Sequence, residues 1–155
     1  MASETTTTAV ETSSEPVAWR GGALAGLVAG IVMGAMLTMQ MGPVIEVAIP
    51  SMYGLSGLTA GWAVHLFHSV VLGIVFAGIA SIASGVDSVG RSALLGLVYG
   101  VGLWVLLAAF VMPVWLGAVG SLADPPLPNF NPLSLVGHVV YGLVLGLAFP
   151  SLLRL

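Results

Sequence analysis

The sequence predicts an all-α protein, an integral membrane four-helix bundle built from two tandem two-helix repeats. Three observations predict it. The 155 residues are 58% hydrophobic and only 6% charged, where a soluble domain carries about a quarter charged residues; so little charge leaves too little polar surface to hold a fold in water. Four separate stretches reach the length of about 20 mostly apolar residues that a membrane-spanning helix needs. The two halves of the chain also match at spaced positions.

The first predicted span covers residues 21–42 and ends at Pro43. The second covers 61–83, the third 92–112 with Pro113 as its stop, and the fourth 133–153. A proline ends a span because it lacks the N–H of the helical ladder and its ring crowds the preceding turn. The connection 84–91 is short and polar, whereas 43–60 and 113–132 are longer and rich in Pro, Gly and Asn. Residues 1–19 begin MASETTTTAVETSSEP. They form an acidic Ser/Thr-rich tail with too little apolar surface to fold, and without the basic start and apolar core of a secretory signal. The membrane domain then covers 20–155, with one repeat at about 20–84 and the other at about 90–154.

Arg20, Arg91 and Arg154 are the only basic residues besides histidine, and four spans place all three on one side. Positive charge stays in the cytoplasm, so the expectation is a multi-pass protein of the cell membrane with both termini cytoplasmic. Trp19, Trp62 and Trp115 fall at predicted span ends, where an aromatic belt belongs.

Ala23-Leu24 matches Ala93-Leu94, Gly26-Leu27-Val28 matches Gly96-Leu97-Val98, Gly30 matches Gly100, and Pro43-Val44 matches Pro113-Val114. In the second helix of each unit His65 matches His138, Val71-Leu72-Gly73 matches Val144-Leu145-Gly146, and Phe76 matches Phe149. Two-span units insert with the same orientation, so a pseudo-two-fold along the membrane normal is expected. Gly22, Gly26, Gly30 and Gly34 form one ridge, Gly96 and Gly100 another. Gly73 on the second helix and Gly142 and Gly146 on the fourth share stripes with His65 and His138. Small residues at this spacing let helix backbones approach in lipid, and both histidines are expected to face into the bundle.

Composition excludes several kinds of chemistry. Without cysteine there are no disulfides, thiolate sites or thiol nucleophiles, and without lysine there is no Schiff base. A net charge of −3 gives no footprint for nucleic acid. No serine triad, hydrolytic carboxylate pair or zinc-protease motif appears. What remains is polar chemistry inside an apolar chain, where ionisable groups are functional candidates by default. His65 and His138 stand at equivalent depths and are candidate ligands of a cofactor, such as the two axial ligands of haem b. With His68 and Glu46 they are also candidates for a metal site. The alternative is that each imidazole bonds a neighbouring backbone carbonyl or serine and holds the helices together. His68 corresponds to Tyr141 in the other repeat, and Gln40 and Glu46 are expected near its depth. Glu46 also reads as a solvated loop carboxylate. Met33, Met36 and Met39 recur at every third position, a soft-ligand spacing or ordinary packing.

Three stretches together carry a resemblance: Gly26 to Gly30 with the methionines that follow, Gly61-Trp62-Ala63-Val64-His65-Leu66-Phe67-His68, and Leu135-Val136-Gly137-His138-Val139-Val140-Tyr141-Gly142-Leu143. They resemble a family of short four-span membrane proteins of unknown function, found in archaea, especially haloarchaea, and in bacteria. The resemblance covers nearly all of the chain after the tail. It implies a fold and a membrane address and no activity.

Three functions are expected from these residues. The first is a non-enzymatic accessory or oligomerising subunit, in contact with the lipid bilayer and assembled as a homo-oligomer or in a larger membrane complex. The second is a haem- or metal-binding protein in electron transfer, through His65 and His138. The third is a small permease or proton pathway.

Overall fold

A computed structural model describes residues 15–83 and 88–153, and among these the protein is all-helical. Four helices are long and apolar enough to cross a membrane: Ala18–Gln40, Leu58–Ile82, Val89–Ala118 and Pro132–Leu152.

Helix α1 runs over Glu15–Gln40. Its start is earlier than the tail predicted for residues 1–19 allows. Pro16 does not prevent this, because the N–H groups of a first helical turn have no partner to lose. Residues 1–14 lie outside the described residues. The helix stops at Met41, just short of Pro43, and the chain does not become a loop. Residues 42–51 are helical, through a π-helical turn at Val44–Ala48 and the short α2, Ile49–Ser51. This segment folds onto the start of α3, Leu58–Ile82. Gly57 N donates to Glu46 O at 2.9 Å, and Gly57 has φ +89°, a conformation open to glycine and costly for other residues. A Cβ on Gly61 would collide with the Ile45 carbonyl oxygen, so only glycine lets the segment settle there.

Helix α4, Val89–Leu103, continues through a π-helical stretch, Trp104–Val111, into α5, Met112–Ala118. Pro113 was expected to end this helix and does not. An α-helical ladder would pair the Pro113 nitrogen with Ala109 O. That carbonyl instead accepts from Asn129 N at 2.9 Å, from the following loop. Helix α6, Pro132–Leu152, starts on a side-chain cap, where Asn131 Oδ1 accepts from Leu133 N at 2.9 Å and Ser134 N at 3.2 Å.

The long helices alternate in direction. One end, the arginine end, holds Arg20 and Arg91; Arg154 lies outside the described residues. The other, the loop end, holds segments 41–57 and 119–131. α1 packs along α3, α4 along α6, and α1 against α6, while α3 and α4 touch little. Both helix pairs cross on glycine. A Cβ on Gly26 would lie 2.9 Å from Gly73 Cα and meet the Ser69 carbonyl; one on Gly96 would lie 2.9 Å from Gly146 Cα and meet the Gly142 carbonyl. Gly22 and Gly100 meet the backbone of the facing helix in the same manner. Gly30 lies against the Ser69 side chain and Gly34 against the Trp62 ring. The arginine half is packed solid around Phe76 and Phe149, whose rings meet edge to face at 5.3 Å, with Tyr99 5.4 Å from Phe76.

Candidate functional site

Towards the loop end the helices part and enclose a cavity of about 420 Å³. His65, His68 and His138 all line it, with Ser69, Ser134, Tyr53 and Tyr141 as the other polar walls. That volume is in the range of small-molecule sites, roughly 300–1,000 Å³. The remaining lining is apolar and rich in thioether, with Met33 from α1, Met41 from the break after it, Met52 from the segment after α2, and Met112 from α5.

The floor is one hydrogen-bonded step between α6 and α3. Tyr141 OH, 2% exposed, donates to Ser69 O at 2.8 Å. Ser69 Oγ in turn donates to His65 O at 2.8 Å. His65 lies one turn from Ser69 towards the loop end, and His138 one turn from Tyr141 in the same direction, so both rings stand at one level above the floor.

Each ring is oriented by a backbone carbonyl. His65 Nε2 donates to Gly30 O across the α1–α3 contact at 2.9 Å, and the ring meets Trp62 edge-on with centroids 6.3 Å apart. His138 Nδ1 donates to Ser134 O at 2.7 Å, one turn back along its own helix. His68 is different: its Nε2 shares a 2.7 Å hydrogen bond with Tyr53 OH.

The roof is made by α2, α5 and the residues that follow each of them. Trp115 Nε1 donates to Met52 O at 3.0 Å, Ser51 Oγ and Ser121 Oγ are 2.7 Å apart, and the Tyr53 and Trp115 rings meet at a 53° tilt with centroids 5.5 Å apart. On one side the cavity is open. α3 and the Trp104–Val111 stretch barely touch, and Phe67, Val71 and Val111 both line the cavity and lie on the outer surface of the protein. Phe67 is 60% exposed, so the opening leads to the apolar outside of the helices.

Glu46 and Gln40 do not reach this site. Both are exposed, and neither lines the cavity. The helix breaks between them at Met41, and the π-helical turn carries Glu46 to the outer side of its segment. Among the described residues no group of three or more His, Asp or Glu side chains is placed to hold a metal ion. The methionines of α1 do not converge either: Met33 is buried at the cavity while Met39 is 84% exposed. Tyr53, Trp115 and Ser134 are site residues that sequence reasoning missed. Trp115 was read from the sequence as part of an aromatic belt, and the signal for Tyr53 was an aromatic residue inside a Pro/Gly-rich connection.

Comparison with protein-family models, with curated proteins and with solved structures finds no match to this chain.

Proposed function

We propose that the protein is a non-enzymatic, multi-pass protein of the cell membrane, with cytoplasmic termini and a tandem-repeat architecture, that binds a membrane-soluble small molecule in the cavity at its loop end. The place in the four-span family that the sequence resembles belongs to the same reading. The observation that carries it is the cavity itself: a polar-edged chamber that opens sideways onto an apolar surface. A ligand dissolved in lipid can enter there without crossing water. The four long apolar helices fit a multi-pass protein, and Arg20 and Arg91 at one end support the orientation.

The accessory or oligomerising role has less support. The small-residue ridges that suggested it are occupied within the chain, α1 against α3 and α4 against α6. A homo-oligomer or larger complex would have to form on outward residues such as Leu94 and Val98 of α4. A pathway through one chain is opposed by the solid packing around Phe76, Phe149 and Tyr99.

Haem b is a second reading, supported by two histidines at one level whose rings are each oriented by a carbonyl, as metal-bound imidazoles are. Charge opposes it. The propionates of haem seek cationic partners, and Arg20 and Arg91 are at the opposite end from the cavity.

The test is native mass spectrometry of protein released from its own membranes. A small hydrophobic molecule should be retained, and Ala108→Trp, which fills the cavity, should release it. An empty wild-type protein, or a filled variant that folds and keeps the same complement, would overturn the reading.

A further inference from the structure

We propose that the cavity is a binding site for a quinol-class ligand: an uncharged, lipid-soluble ring whose hydroxyl groups donate to His65 and His138. This inference rests on the cavity being a ligand site, and it assigns the chemistry of the ligand.

The hydrogen bonds fix which nitrogen of each ring is free. A carbonyl oxygen only accepts, so His65 Nε2 and His138 Nδ1 carry the protons on Gly30 O and Ser134 O. In a neutral imidazole the other nitrogen is then an acceptor: Nδ1 of His65 and Nε2 of His138. Neither has a hydrogen-bond partner among the described residues. Neither is sealed in protein, because the fully buried side-chain nitrogen or oxygen left without a partner among those residues is Ser92 Oγ. Both lone pairs therefore open onto space, and the space beside both rings is the cavity. The Cδ2–Nε2 edge of His65 faces Gly30 and Gly34 of α1, which turns Nδ1 away from that helix.

The two free imidazole nitrogens are the acceptors of the chamber and call for a ligand with two donors, since burying an unpaired polar group costs free energy; the hydroxyl of Ser134 and the proton that the Tyr53–His68 bond leaves over can meet the oxygens of the same ligand. The ligand is uncharged. Among the described residues no arginine stands at the loop end to pair with an anion. The acids described there, Glu46 and Asp124, are exposed and outside the cavity lining, so nothing buried pairs with a cation. It is lipid-soluble, because the opening between α3 and the Trp104–Val111 stretch is lined by apolar side chains. The thioethers of Met33, Met52 and Met112 and the rings of Tyr53 and Trp115 suit an aromatic ring, to which sulfur packs favourably at the edge. A fatty acid fails on charge and a sterol offers one hydroxyl for two acceptors, whereas a dihydroxy aromatic ring meets every condition.

The oxidised form of such a ring has acceptors only and would leave both histidines unpaired. The test is calorimetric titration of the full chain in lipid nanodiscs under argon with duroquinol and, separately, duroquinone. The quinol is expected to bind saturably and at least about tenfold tighter than the quinone, the scale of losing one or two buried hydrogen bonds. His65→Ala and His138→Phe should each abolish that preference. His138 bonds only to its own helix, so its variant keeps the test decisive where His65→Ala does not insert. Equal binding of quinol and quinone, or a preference that survives both variants, would overturn the donor assignment and leave the cavity a ligand site. A Soret band in protein from its own membranes, lost in His138→Phe, would overturn it in favour of iron. Absence of saturable binding by any membrane-soluble molecule would remove the cavity reading as well.

Discussion

Gly26 and Gly73 are in backbone contact: a Cβ on Gly73 would lie 2.7 Å from Gly26 Cα and collide with the Gly22 carbonyl oxygen. In the proposed membrane setting, lipid tails would be as apolar as the side chains of these helices, so hydrophobicity would contribute little to holding α1 on α3 and close backbone packing would have to do it. Gly73→Ala would force the helices apart and should cost about 1–3 kcal/mol, the usual scale of overpacking. Gly78→Ala meets nothing within 4 Å, and should be neutral or slightly stabilising, by up to about 1 kcal/mol, because alanine is the better helix former. Unfolding in increasing sodium dodecyl sulfate, followed by circular dichroism, compares the two. Equal losses at both positions would show that the crossing point has no special role.

The step between Tyr141 and Ser69 joins α6 to α3 with no glycine contact to help. Tyr141→Phe keeps the ring in place and removes only the donor to Ser69 O. The expected loss is about 1 kcal/mol, the range of interhelical hydrogen bonds in membrane proteins. The same unfolding assay reads it. A loss near zero would mean that the floor is held by packing alone, with Leu145 and Phe149 as its main support.

Ser92 stands where the other helix pair has Gly22, and its hydroxyl is fully buried without a partner among the described residues. A buried unpaired hydroxyl costs about 1–3 kcal/mol relative to a satisfied one. Ser92→Ala should therefore leave stability unchanged or raise it, although the residue is 0% exposed and most substitutions at such sites destabilise. A clear loss of stability would mean that the hydroxyl has a partner in the membrane, such as a bound water.

The helices were legible in the sequence because length and apolarity determine them, and the histidines were legible because an imidazole inside an apolar stretch stands out. Their difference in partner was not. His65 reaches across to Gly30 and His138 back to Ser134, although the two positions match in the sequence. Pro113 misled because its effect depends on Asn129, far along the chain, which takes the carbonyl of Ala109. Of the two readings of Glu46, its exposure on the fold-back after Met41 fits the solvated carboxylate and not the metal ligand. Tyr53 and Trp115 escaped because a contact between a turn and the end of a distant helix leaves no periodic trace.

The roof depends on few polar contacts. Trp115→Phe keeps the ring on Tyr53 and removes the donor to Met52 O. Global stability should change by less than about 1 kcal/mol, the usual net contribution of one hydrogen bond. Hydrogen–deuterium exchange of residues 49–57 should accelerate, because local opening follows local contacts. Unchanged exchange in that segment would show that the Ser51–Ser121 pair alone keeps the roof closed.

The proposed orientation is testable because the chain has no cysteine of its own. Leu122, 97% exposed in the loop between α5 and α6, and Val89, 51% exposed in the first turn of α4, lie at opposite ends of the molecule. With cytoplasmic termini, Leu122→Cys faces outward and Val89→Cys faces the cytoplasm. A membrane-impermeant maleimide should label Leu122→Cys in intact cells and Val89→Cys only after permeabilisation. The reverse pattern would place both arginine-bearing helix ends outside, against the rule that keeps positive charge in the cytoplasm. It would also put the cavity mouth in the cytoplasmic leaflet and change where a lipid-soluble ligand would have to be supplied.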